Sequence, residues 1–128
     1  MTRALVLGNG NLLINFDSQL NMRDLYYPIV GMDNHIGGQR CSIGFWEEGH
    51  FTWFWEENWH KKLGYQEDTL VTSVEALNEK MGLQVQINDG VHFYYNLFVR
   101  KVTIKNLKNW PRRVRVFFNH DFSISGNN

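Results

Sequence analysis

The feature that most limits what this chain can fold into is a two-residue hydrophobic period that recurs in short runs and never gives way to a helical one. Leu12, Ile14 and Phe16 alternate with Leu13, Asn15 and Asp17, the pattern of a half-buried strand. Ile43 and Phe45 alternate with Ser42 and Gly44. Glu48-Gly49 then supplies a turn, and Phe51, Trp53 and Trp55 alternate with Thr52, Phe54 and Glu56, which predicts a hairpin with Phe51, Trp53 and Trp55 on one strand face. Leu70 to Leu77 is rich in Val and Thr. Leu83, Val85 and Ile87 oppose Gln84 and Gln86, and Asn88-Asp89-Gly90, residue types that tolerate positive φ, predict the turn of a second hairpin. Val91, Phe93, Tyr95, Leu97 and Val99 hold odd positions but Val102 and Ile104 even ones. This phase slip near Arg100-Lys101 predicts a bulge, or a strand that leaves one sheet for another. After a loop over 106–111, Val114, Val116, Phe118, Phe122 and Ile124 resume the alternation. Roughly eight to ten short antiparallel strands, with turns every ~8 to 12 residues, predict an all-β antiparallel sandwich.

With 128 residues the chain has the material for one core, so residues 1–128 are expected to form one domain. Its 13 Lys plus Arg balance 13 Asp plus Glu, which leaves no positive field to attract nucleic acid or anionic lipid. Neither is expected as a partner. Cys41 stands alone, so no intramolecular disulfide is possible, and no Cys or His pair has zinc-ligand spacing. No metal or cofactor is expected. The apolar run Ala4 to Leu7 is too short for a signal-peptide core and no segment approaches the ~20 apolar residues of a membrane span, which leads to an expected cytoplasmic location.

Ser18 to Arg40 lacks the alternation and reads as a long connection, the kind of segment that often carries function. Gly8-Asn9-Gly10-Asn11 lacks both a third glycine and a Walker lysine, and it reads as a tight turn rather than a phosphate cradle. Adjacent strand residues point to opposite faces, so neither Glu47-Glu48 nor Glu56-Glu57 can form the carboxylate pair of a glycosidase. Both doublets read as solvated strand ends. Asp33 and His35 have no evident third ligand for a metal, and Cys41 has no nucleophile's partner. Trp53, Trp55 and Trp59 admit two readings, sandwich core or a surface on which sugar rings stack. Arg23-Asp24-Leu25-Tyr26-Tyr27-Pro28 also admits two: an internal Arg-carboxylate pair with tyrosines over the core, or a rigid polar and aromatic binding edge.

Several of these segments together carry a resemblance. The runs from Gly8 to Asp17, from Arg23 to Pro28 and from Gly31 to His35, with Phe98 to Asn106 and Val116 to Phe122, resemble the N-terminal domain of prokaryotic glucoamylase-like proteins of glycoside hydrolase family 15. The match runs from about Leu7 to the last residue. It implies an antiparallel super-β-sandwich preceding an (α/α)6 catalytic barrel, in a hydrolase of α-glucans, trehalose or related glucosides. The catalytic glutamates of such proteins belong to the barrel, so the resemblance assigns this chain no catalytic residue.

The resemblance further implies that the sandwich continues beyond Ser125-Gly126-Asn127-Asn128 and is incomplete here. It places Arg23, Asp24, Tyr26, Tyr27, Asn34 and His35 at the edge of the substrate site or at the barrel interface. The implied partners are the barrel of the same polypeptide and an α-glucan or glucoside. Two rivals belong to other classes: a freestanding carbohydrate-binding module stacking sugar on Trp53, Trp55 and Trp59, and a truncated sandwich that self-associates. Uncovered strand edges would in any case favour a homo-oligomer.

Overall fold

The computed structural model describes residues 2–124, and every regular element among them is a strand. The ten strands are β1 (Arg3–Gly8), β2 (Leu13–Asp17), β3 (Met22–Tyr26), β4 (Ser42–Glu47), β5 (His50–Trp53), β6 (His60–Tyr65), β7 (Thr72–Asn78), β8 (Leu83–Val91), β9 (Phe98–Asn106) and β10 (Val114–Asn119). They form three antiparallel sheets ordered β1-β2-β3, β10-β4-β5 and β6-β7-β8-β9. The fold is all-β and antiparallel, as the alternation predicts, and it is consistent with an incomplete sandwich, as the resemblance implies. The last residues, 125–128, where the resemblance has the sandwich continue, lie outside the described ones.

One core joins the sheets. Leu5, Leu7, Ile14 and Phe16 from the first sheet, Ile43 and Phe45 from the second, and Val74, Val85 and Ile87 from the third are all buried together. Phe45 contacts the rings of Phe54 and Trp59 at centroid distances of 5.9 and 5.0 Å. The inward residues of β9 and β10 have the same period but less cover: Val102, Ile104, Val114 and Val116 are half-buried, and Phe118 is 49% exposed. β9 and β10 are also edge strands, each with one side unpaired in its sheet. Another edge, that of β1, is capped: the Tyr65 hydroxyl accepts from the Val6 N–H at 2.7 Å and donates to the Val6 carbonyl at 3.1 Å.

The turns follow their chemistry where it is local. Gly8-Asn9-Gly10-Asn11 is indeed the β1–β2 turn: Asn9 Oδ1 accepts from the N–H groups of Asn11 and Leu12, and Gly10 takes a φ of +97°. Glu48 and Gly49 turn β4 into β5, both at positive φ.

Four expectations are overturned. Asn88-Asp89-Gly90 is no turn; β8 runs through it, because Asp89 faces inward and forms a two-pronged ion pair, at 2.7 and 2.8 Å, with Arg100 directly opposite on β9. The phase slip at Arg100-Lys101 is neither a bulge nor a change of sheet. β8 and β9 stay in unbroken register from Val91↔Phe98 to Leu83↔Asn106, and the slip comes from the hairpin loop at 92–97, where Phe93, Tyr94 and Tyr95 lie exposed. Ser18 to Arg40 is not wholly a connection, since it contains β3. Last, β5 ends at Trp53, so Trp55 lies in the turn that follows instead of sharing a strand face, and Trp59 is buried at 4% exposure and offers no stacking surface. A fifth expectation, that both glutamate doublets are solvated strand ends, holds only in part: Glu48 and Glu57 are solvent-exposed, but Glu47 is buried near Arg112 at 3.4 Å, and Glu56 accepts from the Trp53 N–H and the Thr52 hydroxyl.

Candidate functional site

The six residues singled out in the sequence do not form one site. Three arrangements divide them, and all three grow out of β3 and the segment after it.

The first is a polar knot. Asp24 is buried on β3, and its carboxylate accepts from Arg3 at 2.6 and 3.2 Å, from Asn15 at 3.2 Å and from Asn34 at 2.9 Å. Asn34 in turn accepts at Oδ1 from the N–H groups of Leu25 and Ile36, so its side chain stands in for a missing strand neighbour. Burial pushes the Asp24 carboxyl up, but the hydrogen bonds from Arg3, Asn15 and Asn34, with the charge of Arg3, outweigh it and hold the group below the usual carboxylate range. Its stabilising contribution is therefore present above the ordinary carboxylate pKa and lost as the pH falls through the depressed value. The partner of Asp24 is thus Arg3, not the adjacent Arg23. Consecutive strand residues face opposite ways, and Arg23 instead pairs at 3.0 Å with Asp17, which is fully buried.

The second arrangement is an apolar groove of about 710 Å³, walled by Leu12, Leu25, Tyr27, Pro28, His35 and Phe98. The Tyr27–Pro28 peptide is cis, His35 Nε2 lies 2.7 Å from the Tyr27 carbonyl oxygen, and the His35 N–H donates to the Leu25 carbonyl. These bonds fold 27–35 back along β3, and Tyr27 is left 40% exposed at the rim. Tyr26 is half-buried and pairs with Asn34 through an isolated bridge. Asn9 ties in the opposite wall by donating from its amide to the carbonyls of His92 and Tyr95. The groove offers shape and apolar surface, with no paired carboxylates for acid-base work.

The third is a polar pocket of about 510 Å³, where Arg23 meets Trp53 and Trp55 of the β4–β5 hairpin and its following turn, with Gln39, Arg40 and Asn119. Arg40 sits over the Trp55 ring at 4.1 Å. Sequence reading missed Arg3, Asn15, Phe98, Arg40 and Asn119. Each reaches its partner across a turn or between sheets, and a local pattern carries no signal for such contacts. Cys41 is buried and its thiol is pushed up by burial, which suits packing rather than nucleophilic chemistry. Among the described residues, no three His, Cys, Asp or Glu side chains converge as metal ligands would. No described helix is long and apolar enough to cross a membrane.

An uncharacterized glycosyl hydrolase of Methanocaldococcus jannaschii is 25% identical over 122 residues, which are 95% of this chain and 19% of that protein. The likeness associates the chain with glycosyl hydrolases, and the chain spans only that 19% of the relative's length. No family model matches the chain, and no solved structure does.

Proposed function

We propose that this chain is the noncatalytic N-terminal β-sandwich of a glucoamylase-like protein of glycoside hydrolase family 15, acting on α-glucosides. It supports an (α/α)6 barrel of the same cytoplasmic polypeptide and edges its substrate site through residues 23–35. The observation that carries this reading is the groove beneath Tyr27 and Pro28: an apolar recess with an exposed aromatic rim suits either a sugar ring or a docked barrel loop. The half-covered faces of β9 and β10 support it as well, since further strands or a barrel would bury them. Of the six residues, Tyr27 and His35 line the groove, Asp24 and Asn34 hold its backbone, and Tyr26 lies beside it.

The test is kinetic. In the polypeptide that includes the barrel, Tyr27→Ala should cost roughly 1 to 3 kcal/mol of transition-state binding, about 5- to 150-fold in kcat/KM, with little change in melting temperature. Wild-type kinetics with lowered stability would sink the substrate-edge role. The chain alone should release no glucose from maltooligosaccharides. With its β9 and β10 edges uncovered it should self-associate, and sedimentation as a strict monomer at high concentration would count against those edges being adhesive.

A further inference from the structure

The Trp53–Trp55 pocket is separate from the groove and does not depend on the glucoamylase-like reading. It opens on the outward face of the β10-β4-β5 sheet, and that face is aromatic well beyond the pocket. In register across the three strands, Arg115, Trp46 and Phe51 form one row and Phe117, Gly44 and Trp53 the next. Gly44 makes this floor possible: a Cβ there would lie 2.5 Å from Phe51 Cζ and 3.2 Å from the Trp53 ring, so the rings rest directly on the β4 backbone. Phe51 meets Trp53 at 4.9 Å and Phe117 at 5.8 Å between centroids, and Phe51 and Phe117 are each 44% exposed. A sheet face facing water would ordinarily be polar, as the Lys101, Thr103 and Lys105 positions of β9 are.

From this arrangement we infer that the outward face of β10-β4-β5 is a saccharide-binding site, with a pyranose unit seated between Trp53 and Trp55 and the next units of the chain lying over Phe51 and Phe117. A pyranose presents apolar C–H faces to aromatic rings and a rim of hydroxyls that both donate and accept. The pocket answers both. Its walls are indoles, and its polar groups include Arg23, Arg40, Gln39 and Asn119. Asn119 donates its amide N–H to the Arg40 carbonyl at 2.8 Å, and its amide oxygen adds an acceptor to the pocket lining that a sugar hydroxyl can satisfy. The buried Asp17 carboxylate pairs with Arg23 and offsets one of the two positive charges. No carboxylate lines the pocket, so it does not attract a metal cation. Its volume of about 510 Å³ lies within the range of small-molecule sites.

The experiment is a titration of the protein with maltotriose and, separately, cellotriose, followed by amide and indole N–H resonances. Saturable shifts centred on the Trp53 and Trp55 indoles and the Gln39 and Asn119 side-chain amides are expected with at least one sugar. Trp55→Ala and Arg40→Ala should each weaken binding at least tenfold, and Arg40, exposed and stacked rather than buried, can be replaced without loss of the fold. Inorganic phosphate should give no shift in the pocket. The inference is overturned by no saturable response to either sugar, by shifts confined to the Tyr27 groove, by unchanged affinity in Arg40→Ala, or by phosphate competing with the sugar. Shifts confined to the groove would leave the proposed substrate-edge role of Tyr27 intact while removing this one.

Discussion

The middle of the β6-β7-β8-β9 sheet and its β9 edge carry the same alternating pattern and have different fates. On β7 and β8, Val74, Val85 and Ile87 are completely buried. On β9, Val102 and Ile104 point to the same side with the same period and reach only half burial, and the Val114 and Val116 face of β10 is alike. A two-residue period says which face of a strand is apolar. Whether that face is covered depends on what stands opposite, and the described residues cover the β9 and β10 faces only in part.

The largest effect should come from the buried charge at the boundary between these regions. Asp89 is wholly buried, and the Arg100 guanidinium that holds it lies 5.5 and 5.4 Å from the Phe16 and Phe98 rings. Asp89→Leu strands the cation and should cost about 3 to 5 kcal/mol in urea unfolding. The double variant Asp89→Leu with Arg100→Met should regain most of that, since an apolar pair of similar volume is often neutral. A double variant as unstable as the single one would mean that the pair does more than neutralise itself.

Next is the contrast between centre and edge. Ile87→Ala should cost roughly 2 to 5 kcal/mol, because a closed core keeps the cavity. Ile104→Ala, on a face water already reaches, should cost under about half as much. Equal losses would show the edge to be as well covered as the centre, for example by a second copy.

The smallest effect is electrostatic. Where β10 ends, His120 is exposed, and partial desolvation of its ring, then the nearby charge of Arg100, push the imidazole modestly below its usual range. The folded protein therefore binds that proton less readily than the unfolded chain. Stability should decline as the pH falls below the ordinary imidazole pKa, with the decline complete below the depressed value. His120→Asn should flatten that slope, and a slope that persists would assign it to other groups.

The strand pattern, the β1–β2 and β4–β5 turns, and the absence of helix among the described residues were legible because each is a local property: a side chain's face is decided by its own backbone period. The site was legible only in part. Arg23 to His35 stands out by composition, but its division among a polar knot, a groove and the Trp pocket was not visible, because Arg3 and Asn15 reach Asp24 from other strands, Phe98 comes from the start of β9 and Arg40 from the connection before β4.

Asn88-Asp89-Gly90 marks the limit most clearly. Residue types alone favour a turn there, and the alternation up to Ile87 ends where a hairpin would. What decides otherwise is Arg100, eleven residues away in sequence and directly across the ladder, whose charge makes an inward aspartate tolerable and lets β8 continue to Val91. The same holds for Trp59, an aromatic residue suited equally to a sugar surface or a core until Phe45 and Phe54 close around it. By itself the sequence determined the β character and the faces of many of its strands, since those depend on neighbours along the chain. Only the tertiary structure decided which charges could be buried, which aromatics stayed outside and which faces were left half-covered, because burial free energy belongs to contacts between segments.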